Sequence, residues 1–105
     1  MRHLIRFRIP IESGNAMLAD PQFGDKMRQV LSDLRAEAAY FTTVGGQRGG
    51  YLIVNIEDAS KIPSVAEPLF LWLNAEVEIV PVMIPDDLGK AGGDIAAAMK
   101  KWHRG

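Results

Sequence analysis

The sequence predicts an α+β fold in which one four-stranded antiparallel sheet carries its two main helices on a single face. Three observations support this. Apolar residues alternate with period two at both ends of the chain, in residues 2–9 and 76–83. Two β-rich segments, 38–44 and 51–56, flank the glycine-rich run Gly45-Gly46-Gln47-Arg48-Gly49-Gly50. Between these strand signals lie two stretches, 13–35 and 60–73, whose apolar residues recur at helical spacing.

The first strand, RHLIRFRI, places His3, Ile5, Phe7 and Ile9 on one side and Arg2, Leu4, Arg6 and Arg8 on the other. In residues 13–35, Met17, Phe23, Met27, Val30, Leu31 and Leu34 share a stripe, with Ser13 expected as the cap. Asp20-Pro21 resembles a second cap followed by proline at the first helical position, so a kink or two successive helices are expected. The glycine-rich run reads as a hairpin turn centred on Gln47-Arg48. A phosphate-binding loop is the alternative, but the run lacks GxxxxGK[ST] and opens no helix.

Ser60 is the expected cap of the second helix, with Pro63 in its first turn and Pro68 deep enough to kink it. Its expected buried stripe is Val65, Ala66, Leu69, Phe70 and Leu73, which leaves Leu71 and Trp72 for a second contact. In EVEIVPVM, Pro81 cannot donate to a ladder, so this segment is expected at a sheet edge. Pro85 starts a last helical region, broken at Gly92-Gly93, after which Ile95, Met99 and Trp102 form a short amphipathic stripe.

Composition narrows the function classes. The 105 residues are expected to form one domain, 1–105, with a C-terminal helical extension over about 85–105. Twelve basic residues oppose thirteen acidic ones, so no net charge draws the chain to nucleic acid or an anionic membrane. Without cysteine there is no disulfide, thiolate nucleophile or cysteine-ligated metal. Only His3 and His103 offer imidazole, at opposite ends of the chain, so no metal site and no cofactor are expected. No apolar run approaches a membrane span of roughly 20 residues, and the N-terminus lacks the order of a signal peptide; a cytoplasmic protein is expected.

The order βαββαβ with right-handed crossovers gives a ferredoxin-like sandwich with spatial strand order 4-1-3-2. Its helix-facing side takes Ile5, Phe7, Leu52, Val54, Ile56, Val77 and Ile79. The opposite side takes Arg6, Arg8, Tyr40, Thr42, Tyr51, Ile53, Asn55, Glu76 and Glu78. Strand 4 runs antiparallel beside strand 1, so the glutamates can reach the arginines as half-solvated cross-strand ion pairs. The same face also carries Leu4, Ile53, Val80 and Val82, which makes it too apolar for a simple wet surface. A second copy of the chain covering it would enclose a partly polar cavity. Desolvated arginines there require carboxylates or a ligand, and an anionic or carbonyl-bearing small molecule is the expected occupant.

The element order, the segment Glu67-Pro68-Leu69-Phe70, the acidic strand EVEIVPVM and the following Ile84-Pro85-Asp86-Asp87-Leu88 resemble the dimeric α+β barrel superfamily. That group includes muconolactone isomerases, small monooxygenases, YciI-like proteins and stress-responsive barrel proteins. The likeness is nearest to uncharacterised bacterial members and to muconolactone-isomerase-like proteins. It implies two ferredoxin-like subunits packed sheet to sheet as a homodimer. YciI-like members are associated with a His-Asp pair, whereas His3 has no assigned aspartate here. Haem-binding members need an axial histidine, and His103 lies in the terminal tail.

Two functions follow as expectations. One is a small-molecule-binding protein or an isomerase- or monooxygenase-like enzyme. Its ligand would contact Arg6, Arg8, Tyr40, Tyr51 and Asn55, and Glu78 is the candidate to move a proton. The other is a non-catalytic assembly protein whose contacts are Leu71, Trp72 and the Ile95/Met99/Trp102 stripe. RNA binding is set aside because YLIVNI lacks paired aromatics; Lys100, Lys101 and Arg104 suit a helix C-terminus instead.

Overall fold

A computed structural model describes residues 1–104. The elements are β1 (Arg2–Arg8), α1 (Ile11–Leu18), α2 (Phe23–Asp33), β2 (Ala38–Val44), β3 (Gln47–Asn55), a 3₁₀ turn (Ala59–Lys61), α3 (Ile62–Leu73), β4 (Glu76–Pro81), α4 (Pro85–Lys90) and α5 (Gly92–Trp102). The four strands form one antiparallel sheet in the order β2-β3-β1-β4. Read from the other edge, this is β4-β1-β3-β2, an α+β arrangement compatible with a ferredoxin-like fold. β4 lies at an edge, where Pro81's missing N–H leaves no ladder position unfilled.

The core is built on one sheet face. Ile5 and Phe7 from β1, with Leu52 and Val54 from β3, are buried beneath Val65, Leu69 and Leu73 of α3. Helical spacing on α2 brings Phe23, Met27, Val30 and Leu31 against this cluster, each only half-buried. Burying such side chains is worth roughly 1.5–3 kcal/mol each, so the period-two register of β1 and β3 dominates the choice of which face turns inward.

Several local expectations shift. The first helix begins at Ile11, so Ser13 lies inside α1 and caps nothing; its hydroxyl accepts a hydrogen bond from Asn74 at 3.1 Å. The interruption at Asp20-Pro21 separates two helices, but α2 starts at Phe23, and Asp20 closes the preceding turn by accepting from the Gln22 N–H. Asp58, not Ser60, accepts the backbone hydrogen bond that starts the second helical region. α3 runs continuously through Pro68. Phe70 leaves the expected stripe and is exposed, whereas Trp72 packs on Phe23 with ring centroids 5.5 Å apart.

The hairpin turn is Gly45-Gly46, not Gln47-Arg48. Val44 pairs with Gln47, and both glycines have positive φ, +55° and +80°. A two-residue turn with left-handed φ at both positions matches the twist of the flanking strands, and glycine adopts it without penalty. β3 therefore begins at Gln47, four residues earlier than its β-rich composition indicates.

The chain is elongated. Its radius of gyration is 17.7 Å, whereas about 13 Å is ordinary for a compact domain of this length. The length comes from α4 and α5, in which every side chain is exposed. Among the described residues no helix is long and apolar enough to cross a membrane.

Candidate functional site: the helix-free sheet face

The sheet register arranges the side opposite the helices as cross-strand rows. Tyr40, Tyr51, Arg6 and Glu78 form one row across all four strands. On one side lies the row Thr42, Gly49, Arg8 and Glu76; on the other lies the aliphatic row Ala38, Ile53, Leu4 and Val80. Alternation puts these residues on one side because their strand neighbours Ile5, Phe7 and Leu52 are buried on the other.

Arg6 donates to Glu78 at 3.3 Å, and Arg8 is hydrogen-bonded to Glu76. Each pair follows from its register: Arg6 faces Glu78 and Arg8 faces Glu76. The arginine side chains are 42% and 34% exposed, and the glutamates 67% and 69%. The arginines thus lie along the sheet with their stems partly covered, while the carboxylates stand at the open edge. Pairs of this exposure are worth about 0.2–1 kcal/mol. Together with Val77 they line a concavity of about 490 Å³.

The candidate residues divide. Arg6, Arg8 and Glu78 share that concavity. Tyr51 flanks Arg6 on the neighbouring strand, and Tyr40, largely exposed, follows on the β2 edge. Asn55 stands apart at the far end of β3, opposite Arg2, where its side-chain oxygen accepts from the N-terminal amine. His3 lies half-buried, its Nδ1 2.9 Å from the Met1 carbonyl oxygen.

Sequence reasoning missed a second cleft, of about 700 Å³, between the end of α2 and the start of α3. Asn55, Arg35, Lys61 and Ser64 line it together with Asp33 and Glu57, so its charges are mixed. Arg35 takes the left-handed conformation (φ +51°) just past α2, a position that glycine usually signals, so the chain carries no local mark of it. Among the described residues no cluster of His, Asp and Glu has the spacing of a metal site.

Two tyrosines, two arginines and an aliphatic row on one bare face can accept a flat, partly apolar molecule with an acceptor group for a guanidinium. No family model matches the chain, and no curated protein matches it.

Proposed function

We propose that the chain is a cytoplasmic homodimeric small-molecule-binding protein of ferredoxin-like fold. Two sheets would pack face to face as a dimeric α+β barrel, and the ligand would be an anionic or carbonyl-bearing molecule held by Arg6 and Arg8. One observation supports this best: the unbroken aliphatic row Ala38-Ile53-Leu4-Val80 lies beside the arginine rows on a face that no helix covers. Water is a poor solvent for such a row, and a twin surface is a good one. An incoming carboxylate competes with Glu76 and Glu78 for the guanidinium forks, and both glutamates have open water to turn into. Tyr51 and Tyr40 supply the aromatic wall, and Asn55 contacts only a ligand long enough to reach the end of β3.

Within this reading, an isomerase- or monooxygenase-like reaction would use Glu78 to move a proton beside a carbonyl while Arg6 stabilises the developing enolate oxygen. A second reading, a non-catalytic assembly protein, is favoured by one observation: Ile95, Met99 and Trp102 are bare on α5.

Native mass spectrometry of the full chain, with and without a set of small carboxylates and keto acids, separates the two. The binding reading expects a dimer that retains at least one of these probes. Arg6→Met or Arg8→Met should then weaken retention about tenfold or more, the loss of one charge-assisted hydrogen bond. A dimer that retains no probe leaves the assembly reading. A monomer with no ligand overturns the binding reading.

A further inference from the structure

The C-terminal arm, residues 83–104, has an apolar stripe that no core residue covers, with the Lys101 ammonium over the Trp102 ring, 5.2 Å from its centroid. Ile95, Met99 and Trp102 recur at i, i+4 and i+7 along α5, and Trp102 is 73% exposed. α5 has only 11 residues. Isolated helices shorter than about 12–15 residues are marginal in water, so tertiary contact is what normally holds such a helix.

The body has a matching gap. Phe7, Leu18, Phe23, Met27, Leu31 and Phe41 line an almost wholly apolar groove of about 470 Å³ between the α1–α2 layer and the β2 edge. It opens there because α2 leaves Phe41 of the edge strand uncovered; that ring touches the core only edge-on, 6.3 Å from Phe7.

Surface area indicates how much contact is lacking. The chain exposes 7459 Å². A folded monomer of this mass exposes about 5,800 Å², so the excess is about 1,600 Å². A stable protein–protein interface needs about 800 Å² from each partner. The excess therefore suffices for a sheet-to-sheet contact and a further arm contact.

We infer that α5 of one copy docks into the groove between α2 and β2 of a second copy, with Ile95, Met99 and Trp102 as its anchors. The occupant is a second copy rather than a foreign helix because one chain carries both the bare stripe and the bare groove. A two-fold axis makes each contact twice. Once the helix-free faces cover each other, the α5 stripe and this groove remain in water, as do Phe70 and Leu71 on α3, which lack the i, i+4, i+7 spacing of the stripe. The mode is a helix laid into an apolar groove, read at i, i+4 and i+7. The inference rests on the dimer reading above only for the presence of a second copy, and needs no ligand.

The chain has no cysteine, so introduced ones report unambiguously. Full-length Leu18→Cys and Met99→Cys proteins, both substituted at exposed positions, are purified separately, mixed and oxidised. The expected result is a disulfide-linked dimer containing one of each, while Val80→Cys mixed with Met99→Cys gives none. Linkage to Val80 instead of Leu18, or closure within one chain of the Leu18→Cys/Met99→Cys double variant in preference to dimer, overturns the inference. Val80→Asp keeps failure of the arm distinct from failure of the sheet contact. If Val80→Asp dissociates the dimer and no Leu18–Met99 link forms, the arm inference alone has failed. If the Leu18–Met99 link forms while Val80→Asp leaves the dimer intact, the arm stands and the sheet-to-sheet contact falls.

Discussion

Asp58 holds the entrance to α3 through one side-chain oxygen, which accepts both the Ser60 hydroxyl and the Ser60 N–H. These two bonds, the side-chain one first, hold its carboxyl below the ordinary value of 3.8. A carboxyl depressed in the fold stabilises the fold above its unfolded value, and that stability is lost as pH falls through the folded value. Thermal melts from neutral pH down through the acid range should show wild type losing midpoint below about pH 4, with Asp58→Asn losing less over the same window and starting lower at neutral pH. Equal acid slopes would remove Asp58 from that role. The sequence marks a cap here but not which residue supplies it, since Asp58 and Ser60 are both good cap formers and the 3₁₀ turn decides between them. That Glu76 and Glu78 lie near Arg6 and Arg8 was legible from the alternation together with the strand order, but the register that sets Arg6 against Glu78 and Arg8 against Glu76 was not. In the chain alone, a double-mutant cycle on Arg6→Met and Glu78→Gln should give a coupling of about 0.2–1 kcal/mol that shrinks with added salt. The face-to-face dimer proposed above expects a larger coupling that resists salt, and a small, screened coupling at concentrations where the dimer forms would mean that no second copy covers the pair.

At the level of elements, the hairpin shows why the face assignment survived an error in the turn. Centring the turn on Gln47-Arg48 sets Tyr40 opposite Asn55, whereas the turn at Gly45-Gly46 sets it opposite Tyr51. The slip is four residues, an even number, so every side chain of β2 and β3 stays on its expected face. An odd slip would have exchanged the core and open faces. The distinction between Gly45-Gly46 and Gly49-Gly50 as the turn is not written in composition, since both pairs satisfy a turn signal. It is set by β3, whose pairing with β1 extends to Gly49. The two turn glycines should differ on substitution. A side chain at Gly46 meets nothing, so Gly46→Ala should cost about 1–2 kcal/mol from the left-handed backbone alone. A Cβ at Gly45 would also come within 2.7 Å of the Arg8 guanidinium, so Gly45→Ala should cost more in urea unfolding. In an Arg8→Ala background that difference should vanish; its persistence would assign the extra cost to something other than Arg8, and equal costs in the wild type would show that the guanidinium moves aside.

For the whole molecule, the sequence was informative about the body; of the arm it marked the helices and their stripe but not where they lie. Periodicity identifies an apolar stripe but not what the stripe faces, so the amphipathic pattern at Ile95, Met99 and Trp102 reads the same whether it packs on its own sheet or on nothing. The structure resolves this for the chain alone: the core closes around β1, β3 and α3, and α4 and α5 lie outside it. Core and arm should therefore unfold as separate units, and hydrogen exchange tests this directly. Phe7 is buried to within 1% of complete, and Phe7→Ala should lower global stability by about 3–5 kcal/mol. Amides of β1, β3 and α3, which open only with the whole core, should then exchange faster by about two to four orders of magnitude, since each 1.4 kcal/mol is about tenfold. At a dilution where the chain is monomeric, amides of α5 open locally, from a helix that lies outside the core, and their rates should stay where they were. At concentrations where copies associate they should rise with those of β3, because Phe7 helps line the groove inferred to receive α5. If the α5 amides of the monomer accelerate along with those of β3, arm and core form one cooperative unit, and the separation seen in the chain alone does not describe the protein in solution.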